Sequence, residues 1–200
     1  MKRFISILLA GLILCAACVF NASAAPAAPK KTFNPDAIQQ CTYLNDTEGI
    51  TGNGHCGVLL VDSAGYGRLY HFIRSGLMKV PFTPAQVQQF MKDGHPFPGS
   101  EFQFNRAVIF GITPEEGRRM YDHAENTEFK EFYREASFWV IPIEGDNCLT
   151  VARSITSAGS RKYDFIFPFG LPNSTFYTMQ LSLLLNFVPY TTQFPGETEA

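Results

Sequence analysis

The clearest pattern of apolar and polar positions in the first half of the chain predicts a β-hairpin. Gly57–Val61 and Arg68–Ile73 are short runs rich in apolar and aromatic residues, and Asp62–Gly67 between them is rich in glycine and turn-forming residues. This order is typical of two antiparallel strands joined by a tight turn. His55 stands at the head of the first strand and His71 lies within the second, so each arm carries one histidine.

Capping signals predict helices after the hairpin. Thr83–Met91 begins with a threonine and a proline and is followed by a terminating Asp-Gly pair. Thr113–Glu125 begins in the same way and adds a glutamate three residues after the threonine, which is a capping box. Glu128–Glu135 is expected to form one more helix.

The later part of the chain is predicted to place a cysteine at the start of a helix. Arg106–Ile112 and Phe138–Ile143 are strand candidates. The second is followed by Glu144–Asp146, which is a short turn, and then by the apolar, helix-like run Asn147–Ile155. Cys148 is therefore expected in the first helical turn, directly after a strand and a turn.

The N-terminal residues predict export. A cationic start is followed by the apolar run Phe4–Phe20 and by small residues at Ala22–Ala24, which is the pattern of a cleaved signal peptide over residues 1–24. The apolar run is shorter than the roughly 20 residues of a spanning helix, and no later run is long enough to span a membrane. The expected location is periplasmic or extracellular. Lipoprotein processing, with an anchor at Cys18, is the alternative.

Removal of the signal peptide leaves 176 residues, which is the size of one domain. Residues 25–32 form a Pro/Ala linker, residues 33–190 form the domain, and residues 191–200 form a polar tail that is not expected to join the core. The loss of Lys2 and Arg3 with the signal peptide changes the formal net charge from -2 to -4. No basic patch indicates nucleic acid as a partner.

The exported chain keeps three cysteines, Cys41, Cys56 and Cys148. An odd number in an oxidising compartment leaves at least one without an intramolecular partner. A Cys41–Cys56 disulfide is the economical pairing, because it closes a short loop and leaves Cys148 free. Three buried thiols, or a dimer through any one of them, are the alternatives.

Cys148 and His55 together suggest nucleophilic catalysis. A cysteine in the first turn of a helix lies where partial positive charge stabilises a thiolate, and an imidazole can hold the proton that the thiol loses. The two residues are 93 positions apart in the chain. A small buried apolar role is the alternative for a cysteine of this kind.

The order of these motifs resembles the circularly permuted papain-like proteins, which include NlpC-type peptidases and lecithin retinol acyltransferase-like proteins. The resemblance covers Asn53 to about Met179. Its motifs are the Gly-His-headed strand Asn53–Val61, the aromatic and polar return strand Leu69–Phe72, and the late Asp146–Cys148. It implies an α+β fold, in which an antiparallel sheet with the histidine-bearing hairpin packs on helices and the nucleophile opens a helix.

The resemblance also implies roles for individual residues. Cys148 would be the nucleophile, His55 its general base and His71 the third, orienting group, with Asn147 on the oxyanion side. For His71, a hydrogen-bonded histidine of the core is the alternative. No cofactor is implied, and no recurring Cys/His spacing indicates zinc.

The expected activity is that of an exported cysteine hydrolase that cleaves an amide bond through a thioester. Location and family resemblance favour a cell-envelope substrate, above all the peptides of peptidoglycan. A lipid-ester acyltransferase or hydrolase is one alternative. A non-catalytic binding or interaction module of the envelope is the other.

Overall fold

A computed structural model describes residues 32–49, 54–130, 147–165 and 172–196 of the 200-residue chain. The strands are β1 (Ile38–Asp46), β2 (His55–Asp62), β3 (Gly67–Ile73), β4 (Gly76–Phe82), β5 (Arg106–Gly111) and β6 (Tyr190–Gln193). The helices are α1 (Pro84–Asp93), α2 (Pro114–Asn126), α3 (Cys148–Gly159) and α4 (Pro172–Leu185), with 3-10 turns at Pro35–Ala37 and Arg161–Tyr163. The α+β class is confirmed.

One antiparallel sheet contains all six described strands, in the order β4-β3-β2-β1-β5-β6. The predicted hairpin is β2-β3. The Asp62 carboxylate closes its turn by accepting the backbone N–H groups of Ala64 and Tyr66, both at 2.9 Å. An aspartate that satisfies the amides of the residues after it is a common stabiliser of such turns.

The sheet has a buried core on each face. One face is covered by α2, α3 and α4, and the other is covered by α1 and the segment that follows it. Because neighbouring side chains of a strand point to opposite faces, the apolar residues of β2 alternate between the two cores, and all eight residues of the strand are buried. The hairpin strand that begins with His55 is therefore enclosed from both sides.

The predicted helix caps are confirmed. Thr83 accepts the Gln86 backbone N–H while the Gln86 side chain accepts the Thr83 backbone N–H, so α1 begins with a reciprocal capping box. Thr113 and Glu116 make the same pair of bonds at the start of α2. Two amides that the first turn leaves without helical partners are satisfied in each case.

Several elements differ from the sequence-based expectation. β1, β4 and α4 were not predicted. Tyr190–Gln193, mostly in the expected polar tail, pairs with β5 as an edge strand with little burial. Residues 127–130, where a further helix was expected to begin, are not helical. The rest of that helix, the strand Phe138–Ile143, the turn Glu144–Asp146 and the signal peptide lie outside the described residues.

The expected Cys41–Cys56 disulfide does not form. Cys41 lies opposite Leu60 in the β1-β2 register, whereas Cys56 lies opposite Asn45. The two cysteines are thus four positions apart along the paired strands, on the order of 13 Å. A disulfide needs Cα atoms within about 7 Å. Cys41, Cys56 and Cys148 are all free thiols.

Gly94 fixes the segment that covers the second face of the sheet. It ends α1 with a left-handed φ of 76°, and a Cβ at this position would lie 2.5 Å from the Phe104 carbonyl oxygen. Its own carbonyl accepts the Phe104 backbone N–H at 2.9 Å. Only glycine permits both the dihedral angle and the approach.

We expect Gly94→Ala to lower the free energy of unfolding by more than Gly99→Ala does. Gly99 has a similar φ of 78° but no atom within 4 Å of its Cβ position, so its replacement costs only the conformational penalty of about 1 kcal/mol. Gly94→Ala adds a clash with backbone and should cost about 2 kcal/mol. Urea unfolding of both variants measures the difference, and equal losses would mean that the Phe104 segment shifts freely.

Among the described helices, none has the length and apolar character needed to cross a membrane.

Candidate active site

Asn147 and Cys148 begin α3 as predicted. The Asn147 side-chain oxygen accepts the backbone N–H groups of Leu149 and Thr150, each at 2.9 Å, and the Thr150 hydroxyl oxygen accepts the Asn147 N–H at 2.9 Å. Asn147 is therefore the cap of the helix, and Cys148 is its first residue. The positive end of the helix dipole lies at the thiol.

The cap leaves one amide of the first turn available beside the sulfur. Leu149 and Thr150 donate to the Asn147 side chain, and Val151 donates to the Asn147 carbonyl at 3.0 Å. Within the described ranges, the Cys148 backbone N–H has no acceptor. A free amide at a helix N-terminus is suited to bind an oxyanion.

His55 is held by the backbone around it. Gly54, directly before it, has a φ of 90°, and a Cβ there would lie 2.4 Å from the side-chain oxygen of Asn173 in α4. The Gly54 N–H donates to the Gly49 carbonyl at 2.8 Å, and the Asn45 amide donates to the His55 carbonyl at 3.1 Å. These contacts fix the point at which β2 begins, and with it the imidazole.

The structure brings His55 and His71 together on one face of the sheet. His71 lies opposite Gly57 in the β2-β3 register, two residues after His55. A Cβ on Gly57 would lie 3.0 Å from the His71 Cβ, so the glycine provides room for the His71 ring. His55 Nε2 lies 3.2 Å from His71 Nδ1. The two imidazoles therefore share a hydrogen bond.

Two phenylalanines of the segment after α1 cover the imidazoles. The Phe102 ring lies 4.7 Å from the His55 ring and 5.3 Å from the His71 ring, and Phe104 lies 5.7 Å and 5.8 Å away, measured between centroids. Each histidine keeps 1% of its surface exposed. The pair is enclosed in an apolar environment, in which an added charge is costly.

Burial keeps His71 in its neutral form. Burial first, and the nearby charge of His55 second, together lower the pKa of His71 from 6.5 to about 3. His71 is therefore neutral at physiological pH, and its Nδ1 can accept a hydrogen bond from the His55 Nε2–H. His55 Nδ1 has no short hydrogen bond within the described part of the chain, and it is the nitrogen left to face a thiol.

Cys148 begins α3, which packs against β2 and β3 on the helix-covered face of the sheet. The pKa of Cys148 falls well below its ordinary value, first because of the neighbouring Cys56 side chain and then because of the neighbouring His55 and its charge, while burial opposes these effects. His55 and Cys56 are adjacent in the strand and point to opposite faces. The sulfur is close enough to be influenced by both residues. Its residue is 8% exposed, more than either histidine.

The structure thus places Cys148, His55 and His71 in one chain of contacts, while Asn147 caps the helix and Cys41 lies elsewhere in the sheet. Sequence reasoning missed the contact of Cys56 with the nucleophile candidate and the aromatic cover by Phe102 and Phe104. The position of Cys56 directly after His55 was the available signal for the first. Nothing in the pattern of the long segment after α1 indicated the second.

The described residues also form a cavity apart from this site. A cavity of about 610 Å³ is lined by β4, α1 and residues 95–100 and includes none of Cys148, His55 and His71. No group of three or more His, Cys, Asp or Glu side chains within the described ranges is placed to hold a metal ion.

Comparison with known proteins gives no matching family model, no matching curated protein and no matching solved structure. Function must therefore be inferred from the residues themselves and their geometry.

Proposed function

We propose that the protein is an exported cysteine hydrolase of permuted papain-like architecture that cleaves an amide bond through a thioester. The observation that carries the proposal is the linear order of Cys148, His55 and His71, in which the His55–His71 distance is 3.2 Å and the thiol opens α3. A nucleophile, a base in reach of it and a third group that orients the base form the recurring unit of such enzymes.

The protonation states follow from the environment of each group. His71 is neutral and accepts a hydrogen bond from His55 Nε2, because burial disfavours its charged form. In the proposal, the proton of the Cys148 thiol passes to His55 Nδ1, because His55 Nε2 already donates to His71, and an ion pair of this kind stabilises a thiolate. The helix dipole at Cys148 acts in the same sense.

In the proposed reaction the Cys148 thiolate attacks the carbonyl carbon of the substrate, and a C–S bond forms. His55 donates its proton to the leaving nitrogen as the C–N bond breaks, which gives a thioester and a free amine. Water then attacks the thioester, His55 takes the proton of that water, and the acid is released with the thiolate restored. The Cys148 backbone N–H, at the first position of α3, stabilises the oxyanion of each tetrahedral intermediate.

The proposed substrate is a peptide of the cell envelope, such as a peptidoglycan stem peptide. This part rests on the predicted signal peptide and on the family resemblance of the Gly-His and Asn-Cys motifs. The geometry of the acyl-transfer site by itself favours neither amides nor esters as substrates.

A lipid-ester substrate is the second candidate, and the surface of α4 favours it. The helix contains no charged residue and exposes Tyr177, Leu181, Leu184 and Leu185, with Phe187, 93% exposed, just beyond its end. An apolar stripe of this kind suits contact with acyl chains. A comparison of acid release from phospholipid vesicles and from peptidoglycan peptides separates the two substrates.

Alkylation of the purified protein by iodoacetamide as a function of pH tests the proposal. We expect selective labelling of Cys148 below pH 7, mapped by mass spectrometry, because the thiol is activated. We expect His55→Ala to lose this labelling, since the variant lacks the cation that stabilises the thiolate.

His95→Ala is the matched control, because His95 is an exposed histidine outside the site. It should leave the labelling of Cys148 unchanged. Labelling of Cys148 only with the pH profile of an ordinary thiol, in wild type and His55→Ala alike, would refute the catalytic proposal and leave a binding module of the envelope as the better interpretation.

A further inference from the structure

The cavity between β4, α1 and residues 95–100 is lined on one side by apolar surface. Two buried phenylalanines, Phe82 and Phe90, pack against each other with their ring centroids 5.2 Å apart. Further apolar surface comes from one phenylalanine and three prolines, Phe97, Pro81, Pro96 and Pro98. The volume of about 610 Å³ lies in the range of small-molecule binding sites.

One side of α1 supplies polar groups to the same cavity. Gln86, Gln89 and Asp93 are spaced by three and four residues, so they lie on one side of the helix. The Gln86 side-chain oxygen accepts the Thr83 backbone N–H at 2.9 Å and the Thr83 hydroxyl at 2.8 Å, and the Gln86 amide N–H groups can donate to a ligand. The Gln89 amide donates to Asp93 Oδ2 at 2.8 Å. Hydrogen-bond donors and acceptors thus lie beside the apolar surface.

A tight turn holds the Phe97 ring at the cavity. The Ser100 backbone N–H donates to the Phe97 carbonyl at 3.1 Å, and Gly99 has a φ of 78°. A proline at the second position, here Pro98, and a glycine with positive φ at the third are typical of a type II turn. Phe97 keeps 38% of its surface exposed, so its ring is accessible to a ligand.

The cavity is connected to the aromatic cover of the two histidines. The Ser100 hydroxyl donates to the Phe102 carbonyl at 3.2 Å and accepts the Phe102 backbone N–H at 3.1 Å. The Phe102 ring lies 4.7 Å from the His55 ring. The Phe90 ring, which lines the cavity, lies 5.9 Å from Phe104, the second ring of that cover. A ligand in the cavity would therefore lie next to the segment that encloses the proposed catalytic base.

The lining disfavours several classes of ligand. Among the described residues that line the cavity, none is a lysine or an arginine, and the Asp93 carboxylate would repel an anion. An acyl chain would cover the glutamine amides and the carboxylate without offering them hydrogen bonds, which is costly. A peptide could not pair continuously as an added strand along this end of β4, because Pro81 has no backbone N–H.

We infer that this cavity binds an uncharged sugar unit of the N-acetylhexosamine class. The faces of a pyranose ring carry C–H groups that can lie against Phe97 and the prolines. Its edge carries hydroxyl groups, which both donate and accept and so match the side chains of Gln86, Gln89 and Asp93. The assignment of this sugar to a peptidoglycan strand rests on the proposed function, because the stem peptides are attached to N-acetylated sugars.

Titration of the purified, isotope-labelled protein with the uncharged disaccharide diacetylchitobiose, followed by NMR, tests the inference. We expect saturable shifts of the backbone amides of the residues that line the cavity. We expect Phe97→Ala to weaken binding by about tenfold, because it removes one aromatic contact. We expect a loss of about the same size in Gln89→Ala, because it removes one hydrogen-bonding group.

The chain offers a matched control for each variant. Phe194 is 44% exposed, similar to Phe97, and does not line the cavity. Gln88 is an exposed glutamine of α1 next to Gln89, and it is also outside the lining. Phe194→Ala and Gln88→Ala should bind the disaccharide as wild type does. Circular dichroism of every variant checks that it folds.

Several results would overturn the inference. They are the absence of saturable shifts at the cavity, equally strong binding there of maltose, choline or octanol, and wild-type affinity in both Phe97→Ala and Gln89→Ala. Failure of the proposed function is distinct from these, because sugar binding requires no hydrolysis. A protein that binds the disaccharide at the cavity but shows no activation of Cys148 would keep the sugar site and lose the hydrolase.

Discussion

Cys148→Ala and His55→Ala should each reduce amide hydrolysis by at least about a thousandfold, and the double variant should be no slower than the slower single variant. The expectation follows because the proposed nucleophile and base act as one ion pair, so that either change removes the same transition-state stabilisation. Residues that act as one unit show this strong departure from additivity.

Single-turnover release of amine from a peptidoglycan peptide measures the effect. Cys41→Ala serves as the control, because Cys41 is a buried free thiol of the same sheet that lies opposite Leu60, five residues along β2 from His55. Residual activity in Cys148→Ala should not exceed what the oxyanion donor and substrate binding supply. Losses that multiply in the double variant would show that the two residues act independently and would contradict a shared catalytic unit.

The parts of the fold that could be predicted are those with a local signal. The β2-β3 hairpin has two apolar runs around a turn that Asp62 closes, and α1 and α2 begin with capping boxes in which both reciprocal bonds are present. The start of α3 was predictable for the same reason, since Asn147 caps the residues that follow it. Such signals depend on few residues that are close in the chain.

The elements that escaped prediction lack a signal of this kind. β1 lies between β2 and β5, yet it carries the polar residues Thr42 and Asn45, both fully buried, so no apolar alternation marks it. α4 has apolar residues on its buried side, such as Met179, and on its exposed side, such as Leu184. Tertiary contacts determine both elements, and single-sequence patterns do not record them.

In the candidate site too, some features could be predicted from the sequence and others could not. Cys148 and His55 were predicted because each stands at the start of an element. The contact of His55 with His71 depends on the register that places His71 opposite Gly57, and a shift by one residue would have turned the ring to the other face. The contact of Cys56 with Cys148 depends on the packing of α3 against β2. Neither register nor helix packing is visible in residue spacing.

The neutral state of His71 has a cost in stability that acid should reveal. The pKa of His71 is about 3 in the folded protein and 6.5 without burial. Above pH 6.5 both states are neutral and His71 contributes no pH dependence. Between pH 6.5 and 3 the unfolded chain binds a proton that the folded protein does not, so the free energy of unfolding falls as the pH falls.

We therefore expect His71 to cost the wild-type protein about 3 kcal/mol of stability on going from pH 7.5 to pH 4.5, from about 1.4 kcal/mol for each of two pH units below 6.5. His71→Gln should lack this component, because glutamine does not titrate, although it keeps an acceptor for His55. His95→Gln removes an exposed histidine and should keep the wild-type dependence. Urea unfolding at pH 7.5 and pH 4.5 measures how much the free energy of unfolding changes with pH in each of the three proteins.

At pH 4.5 the contribution of His71 to the free energy of unfolding can be measured separately from the contributions of the carboxylates. The pKa values of Glu116 and Glu125 are lowered from 4.5 despite burial, by hydrogen bonds with Lys162 and Lys79 first. Their contributions are lost mainly below that pH and are common to all three proteins. An equal pH dependence in wild type and His71→Gln would mean that folded His71 binds a proton near pH 6.5. Its Nδ1 could then not accept from His55, and the proposed orienting role would fail with it.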